Sequence, residues 1–158
     1  DSKKLSKKKR DEYRDYIEST ALDYSVAFES PEKVDEINIL NAAISAMHLA
    51  IDGLNITPES LLIDGNKFKP YLLNGDLIPH ECFIKGDDLY QSISAASILA
   101  KVYHDDYITE LCEKEPELNI YEWKKNMCYG TKAHLDAIKD KGITKYHRKT
   151  FGICKEYV

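Results

Sequence analysis

The run Ile93-Ser94-Ala95-Ala96-Ser97-Ile98-Leu99-Ala100-Lys101-Val102-Tyr103-His104-Asp105-Asp106 constrains the fold of this chain more than any other stretch. Its alanines and serines suit a helix that comes close to a sheet, and Lys101 and Asp105 stand four residues apart, hence on one helical face. A helix made only to fill a core would carry larger apolar residues and no step from lysine to carboxylate. A carboxylate held rigidly beside a sheet is a natural ligand for a hard divalent cation. On pattern alone the run fits equally well a core helix whose charged end has reached solvent.

The surrounding segments read as alternating helix and strand. Ser6 is placed to cap a helix from about Lys7 to Thr20, with Tyr13, Tyr16, Ile17 and Ala21 on its apolar face. Leu22, Tyr24, Val26 and Phe28 alternate with smaller or polar residues, which predicts a strand. Ser30-Pro31-Glu32 is a helix start with proline at the first helical position, and Ile37, Leu40, Ile44, Met47, Ile51 and Leu54 follow at helical spacing. Leu61-Leu62-Ile63-Asp64 is a short apolar run closed by the turn signal Gly65-Asn66, so Asp64 belongs at a strand end. Residues 66–80, with Pro70, Gly75 and Pro79, read as loop, and Cys82-Phe83-Ile84 as another strand. The long helix is expected from about Ser92 to Glu113, before Pro116. Shorter helices are expected at 120–127 and 132–141, the second ended by Gly142.

A length of 158 residues fits one domain with a real core, and 43% hydrophobic with 31% charged residues is an ordinary globular composition. No apolar run approaches the roughly 20 residues of a membrane span, and the start has no signal-peptide pattern, so no membrane partner and a cytoplasmic location are expected. Cys82, Cys112, Cys128 and Cys154 are widely spaced, which argues against zinc and calls for no disulfide. A net charge of −5 argues mildly against nucleic-acid binding. Its distribution is more favourable: Lys3, Lys4, Lys7, Lys8, Lys9 and Arg10 crowd the start, and Lys124, Lys125 and Lys132 gather near Tyr129. A solvated helix face accounts equally for Lys7 to Arg10.

The long run resembles the signature of type 2 ribonuclease H (ribonuclease HII), in which Ala-Ala-Ser-Ile-Leu-Ala-Lys-Val is followed after two residues by a metal-binding Asp. Six further motifs of that family stand in order: Asp1-Ser2-Lys3-Lys4-Leu5-Ser6, Val34-Asp35-Glu36-Ile37-Asn38, Ile63-Asp64-Gly65-Asn66, Lys85-Gly86-Asp87, Tyr129-Gly130-Thr131 and His147-Arg148-Lys149-Thr150-Phe151. The resemblance implies an α/β fold with a ribonuclease H-like mixed sheet flanked by helices. It places a partial catalytic domain at 1–118 and a helical C-terminal segment that grips substrate at 119–158. It also implies endonucleolytic hydrolysis of the RNA strand of RNA–DNA hybrids and of single ribonucleotides embedded in DNA, leaving 3′-hydroxyl and 5′-phosphate ends. The partner is then a nucleic-acid duplex, and the complete protein is expected to be a monomer.

Hydrolysing a phosphodiester calls for an activated water and a stabilised leaving oxygen, which paired Mg²⁺ or Mn²⁺ ions supply when carboxylates hold them. Asp64 and Asp105 are the expected catalytic metal ligands; a lone Asp before Gly is otherwise a turn-capping residue. The family spacing selects Asp105 over Asp106, and His104 stands where the family carries Arg. Tyr129 resembles the tyrosine that packs on the ribonucleotide sugar, with Cys128 in place of the usual Gly before it. Lys3 is expected at a phosphate and Asn38 at a polar contact near the scissile bond. Thr131 suits either a helix cap or a phosphate contact, and Lys101 either orients Asp105 or reaches a phosphate. Asp87 and Arg148 read as structural.

Family members also carry Asp-Glu-Ala-Gly-Arg-Gly on a first strand, a segment that supplies two more metal carboxylates and reads the 2′-hydroxyl. These 158 residues contain no such segment. The first strands of the sheet are therefore expected to be missing, and the isolated chain is expected to be inactive or nearly so. The rival expectation is a module that binds nucleic acid without chemistry.

Overall fold

The computed structural model describes residues 1–158, and the chain divides into two compact units. The first comprises Asp1–Phe28 and Ile44–Tyr103, the second Glu29–Ala43 and His104–Val158. No helix is long and apolar enough to cross a membrane.

In the first unit, helix α1 (Lys7–Thr20) starts where Ser6 predicts, with the Ser6 hydroxyl accepting the Lys9 N–H at 3.2 Å. The expected apolar face is not buried, however. No residue of α1 is buried, and Tyr16 is 61% exposed. The helix is fastened instead by polar contacts, among them the Tyr103 hydroxyl donating to Glu18 at 2.6 Å.

Strand β1 (Leu61–Asp64) pairs in parallel with β4 (His80–Phe83), Leu61 opposite His80 and Asp64 opposite Phe83. Side chains alternate across a strand, so Leu61 and Ile63 enter the core and Leu62 and Asp64 take the other face. Tyr71 completes that core, and Met47 and Ile51 of helix α2 (Pro31–Asp52) pack against it. A parallel pair needs a long crossover. Here it contains a hairpin, β2 (Tyr71–Leu73) and β3 (Asp76–Ile78), where the sequence reads as loop. Asn74 (φ 52°) and Gly75 (φ 88°) both take the left-handed backbone that a tight two-residue hairpin turn demands. The single-turn helix α3 (Gly86–Leu89) follows, then α4 (Gln91–Lys114), which matches the long helix expected.

The expected strand at Leu22–Phe28 does not form. Those residues pair with no other strand, and Leu22 is 94% exposed. Alternation marks a strand only where a ladder partner exists. Here Asp23 anchors the segment, accepting the backbone N–H groups of Asn55 (2.6 Å) and Ile56 (3.0 Å).

The second unit is helical. Helix α2 starts with the Ser30 hydroxyl accepting the Lys33 N–H, then breaks at Asn38 (φ 68°) and restarts with the Asn38 carboxamide accepting the Asn41 N–H at 3.0 Å. The break resets the helical phase and leaves Ile39 and Leu40 exposed, where an unbroken helix would use Leu40 in its apolar stripe. The expected helix at 120–127 is replaced by a 3₁₀ turn, Pro116–Tyr121, and the single-turn helix α5 (Trp123–Asn126). Left-handed Glu122 and Met127 separate these from their neighbours. Helix α6 (Lys132–Lys141) ends at Gly142 as expected, and a 3₁₀ segment, Gly152–Tyr157, closes the chain. The core here is Ile108, Cys112, Leu118, Tyr121, Trp123, Ile138 and Cys154. The α/β class with flanking helices and a helical C-terminal part is thus present, its sheet reduced to one parallel and one antiparallel pair.

Candidate active site

Asp64 ends β1, and the ladder carries on one step past it through the Gly65 N–H donating to the Phe83 carbonyl at 2.8 Å. Gly65 then turns with φ 103°, a backbone that glycine takes without strain. The Asp64 Oδ1 accepts the Gly86 N–H at 2.9 Å. That fixes one carboxylate oxygen and leaves Oδ2 for another role. Gly86 is buried, and a Cβ there would lie 2.7 Å from Ile93 Cδ1 and 3.3 Å from Phe83 Cβ. Glycine thus lets the Lys85-Gly86-Asp87 segment approach Asp64 without displacing Ile93 or Phe83.

Lys3 lies in a 3₁₀ turn capped by Asp1, whose carboxylate accepts the Lys3 N–H at 2.9 Å, and its side chain is exposed. Arg10 closes the same turn by donating to the Leu5 carbonyl at 2.6 Å. Lys101 is half-buried on α4, four residues before Asp105.

In the second unit, Asp105 is only 7% exposed, whereas Asp106 is half-buried. A carboxylate can only accept, so His104 donates its Nδ1–H to Asp105 Oδ1 at 3.0 Å. The histidine standing in place of arginine therefore still gives this carboxylate a hydrogen-bond donor. The Asp105 charge is also felt at the Cys128 thiol. Cys128 (φ 67°) adopts a left-handed backbone that glycine would take freely, and its N–H donates to the Asn126 side-chain oxygen at 3.0 Å. Burial pushes the Cys128 thiol up to about 12.

Tyr129 is 57% exposed, so it is not a core aromatic. Its backbone is held tightly all the same. The N–H donates to the Asn126 carbonyl (2.9 Å), and the carbonyl accepts from the Thr131 N–H (2.8 Å) and from His134 Nδ1 (2.9 Å). Thr131 caps α6, its hydroxyl accepting the His134 N–H at 3.3 Å and an Asn126 side-chain N–H at 3.2 Å. Asn38 is exposed, and its side chain is the internal helix cap described above.

Two groups escaped the sequence reading. Asp35 accepts three hydrogen bonds from the C-terminal motif: the Lys149 N–H at 2.8 Å, the Thr150 N–H at 2.9 Å and the Thr150 hydroxyl at 2.6 Å. Burial opposes its ionisation, and the Thr150 and Lys149 bonds outweigh it, holding the carboxyl below its ordinary value. Asp35 thus ties down that segment, within which Arg148 lies over the Phe151 ring. The second group is His134 with Trp123 and His147, all buried and linked by hydrogen bonds of 3.0 and 3.2 Å. No local spacing announces either group, because each joins residues that are distant in the chain.

The first unit therefore holds Lys3, Asp64 and Lys101, with Asp64 locked to Gly86. The second holds Asn38, Asp105, Tyr129 and Thr131, the last two braced by Asn126 and His134. Asp64 and Asp105 offer carboxylate oxygens, the donors that Mg²⁺ and Mn²⁺ prefer, and each has one oxygen already oriented by a protein N–H.

Comparison with known proteins bears on this arrangement. The family model described as ribonuclease HII matches residues 1–154. The ribonuclease HII of Christiangramia forsetii is 51% identical over 156 residues, covering 99% of this chain and 75% of that protein. That of Parabacteroides distasonis is 52% identical with the same coverage, and that of Bacteroides thetaiotaomicron 51% identical over 153 residues, covering 97% of this chain and 73% of that protein. Among solved structures, the ribonuclease H2 from Pyrococcus horikoshii superposes with a TM-score of 0.76 at 21% identity, covering 99% of this chain and 78% of that one. At that identity the likeness speaks for the fold.

Proposed function

The chain belongs to the ribonuclease HII family, and from that premise we propose that its activity is endonucleolytic hydrolysis of the RNA strand of RNA–DNA hybrids and of single ribonucleotides embedded in DNA. The products carry 3′-hydroxyl and 5′-phosphate ends. What supports this reading above all is the family match over residues 1–154, which takes in Asp64, Asp105 and the Tyr129-Gly130-Thr131 turn.

Asp64 and Asp105 are the carboxylates that would hold Mg²⁺ or Mn²⁺. A pair of such ions supplies charge neutralisation at the phosphate and a water of lowered pKa. The Gly86 N–H fixes the attitude of Asp64, and His104 that of Asp105. Lys3 and Lys101 contribute positive charge toward phosphates, and Thr131 and Asn38 contribute polar contacts. The exposed Tyr129 ring packs on the sugar of the ribonucleotide, where the 2′-hydroxyl separates RNA from DNA. Residues 119–158 grip the duplex. The protein works in the cytoplasm as a monomer.

With these two carboxylates and no Asp-Glu-Ala-Gly-Arg-Gly segment, the 158 residues by themselves turn substrate over weakly or not at all. The same observation favours a second reading, a module that binds duplexes without cleaving them. Three duplexes of one sequence, all-DNA, hybrid and DNA with a single ribonucleotide, incubated with Mg²⁺ or Mn²⁺ decide between them. Residual cleavage confined to the ribonucleotide-containing duplexes, and abolished by Asp64→Asn or Asp105→Asn, upholds the enzyme. Duplex binding that survives both substitutions, with no cleavage at all, upholds the module. Robust turnover overturns the argument from two carboxylates, and equal cleavage of all-DNA duplex overturns the substrate class.

A further inference from the structure

The side chains of Trp123, His134 and His147 come from three separate stretches of the second unit and meet in its interior, at 2, 6 and 6% exposure. Their hydrogen bonds fix where the protons sit. Indole N–H can only donate, so His134 Nε2 accepts from Trp123 at 3.0 Å. The proton of His134 therefore lies on Nδ1, where it donates to the Tyr129 carbonyl at 2.9 Å. His147 Nδ1 accepts the Thr144 N–H at 2.9 Å, which puts its own proton on Nε2, directed at His134 Nε2 at 3.2 Å. Each ring thus has one protonation pattern compatible with these contacts, in which both rings are neutral and the two incoming N–H groups share the single lone pair of His134 Nε2. Burial, then the neighbouring His134, pushes His147 down to about 4 and so keeps it neutral around pH 7. Tyr121 stacks on Trp123 and meets both histidines edge-on, and its hydroxyl donates to the Gly142 carbonyl.

The last donor of this chain of bonds leaves the core at one point, the carbonyl of Tyr129. We infer that His134, oriented by Trp123 and His147, is a positioning residue that sets the pose of the exposed Tyr129 ring and thereby the preference for ribonucleotide-containing duplexes. The inference rests on the proposed contact of Tyr129 with the sugar. Its mechanical part does not: a carbonyl pinned from the interior and from Thr131 at once leaves the peptide little freedom to rotate, and the ring direction follows the peptide.

The test uses the full chain in two measurements. Without substrate, amide hydrogen exchange at Thr131, whose N–H donates to the pinned carbonyl, reads the hold directly. His134→Ala is expected to speed that exchange at least tenfold. His134→Asn, whose side-chain NH₂ can stand in for the ring Nδ1–H, is expected to restore it. With duplexes, the ratio of affinities for single-ribonucleotide and all-DNA forms is expected to fall about tenfold in His134→Ala and equally in Tyr129→Ala, with no further fall in the double variant. Unchanged Thr131 exchange in His134→Ala overturns the inference whatever Tyr129 does. If Tyr129→Ala lowers the ratio and His134→Ala leaves it intact, the inference falls and the reading of Tyr129 stands. If the exchange result holds but Tyr129→Ala leaves the ratio unmoved, the sugar contact falls and the role in duplex preference falls with it.

Discussion

Replacing Asp35 by alanine removes a carboxylate that accepts from the Lys149 N–H, the Thr150 N–H and the Thr150 hydroxyl. Hydrogen bonds to a charged acceptor contribute about 1.5–3 kcal/mol each when well buried. Asp35 is half-buried and its donors are exposed, so water replaces much of what is lost. About 1 kcal/mol per bond is a fair allowance, and the three are not additive, which gives a loss of about 2–3 kcal/mol. Thr150→Val deletes only the hydroxyl and should cost about 1 kcal/mol. Urea unfolding followed by the emission of Trp123, the single tryptophan, measures both. The acid dependence gives an independent check. The folded carboxyl lies below its ordinary 3.8, so its stabilisation is present above that value and is lost as pH falls through the folded pKa. The charge-dependent part of the gap between the native protein and Asp35→Ala should therefore be lost in acid below about pH 3.8, and the gap should narrow. A loss under about 0.5 kcal/mol at neutral pH would show that Asp35 does not tether the C-terminal motif, and a gap unchanged in acid would show that the tether does not depend on its charge.

Gly86→Ala drives a Cβ against Ile93 and Phe83 and should cost about 1–3 kcal/mol in urea unfolding. Gly75→Ala strains the left-handed residue of the β2–β3 turn and should cost about 1 kcal/mol, whereas Asn74→Gly should change stability by a few tenths only. His147 is depressed from 6.5 to about 4, so its contribution is intact above pH 6.5 and is lost as pH falls toward 4. Roughly 3 kcal/mol of acid sensitivity in that window should be missing from the pH profile of His147→Gln, measured by urea midpoints against the native chain.

What the sequence disclosed is local chemistry. Ser6 before Lys7, Pro31 after Ser30 and Gly142 after Lys141 mark helix ends that the structure keeps, because capping depends on neighbours within a few residues. The end of β1 at Asp64 was legible for the same reason. The Asn74-Gly75 pair carried an equally local hairpin signal, but prolines on either side made the stretch resemble loop. Leu22–Phe28 shows the reverse failure, an alternation with no strand to pair against. For the candidate site, residue identities came from motif resemblance, and the supports did not come at all. Gly86 reaches Asp64 from 22 residues away, and Asp35 meets Thr150 across 115. Contacts at that separation depend on the path of the whole chain and leave no periodic trace.

Cys128 stands next to Tyr129 in the chain, where an oxidisable sulfur is a hazard. Nucleophilic attack on peroxides and disulfides belongs to the thiolate, and with a thiol pushed up to about 12 the ionised fraction near neutrality is vanishingly small. Alkylating and oxidising reagents should therefore pass this cysteine by while the turn stays folded. Its labelling rate then becomes a chemical stopwatch for how often the loop that carries Tyr129 comes open.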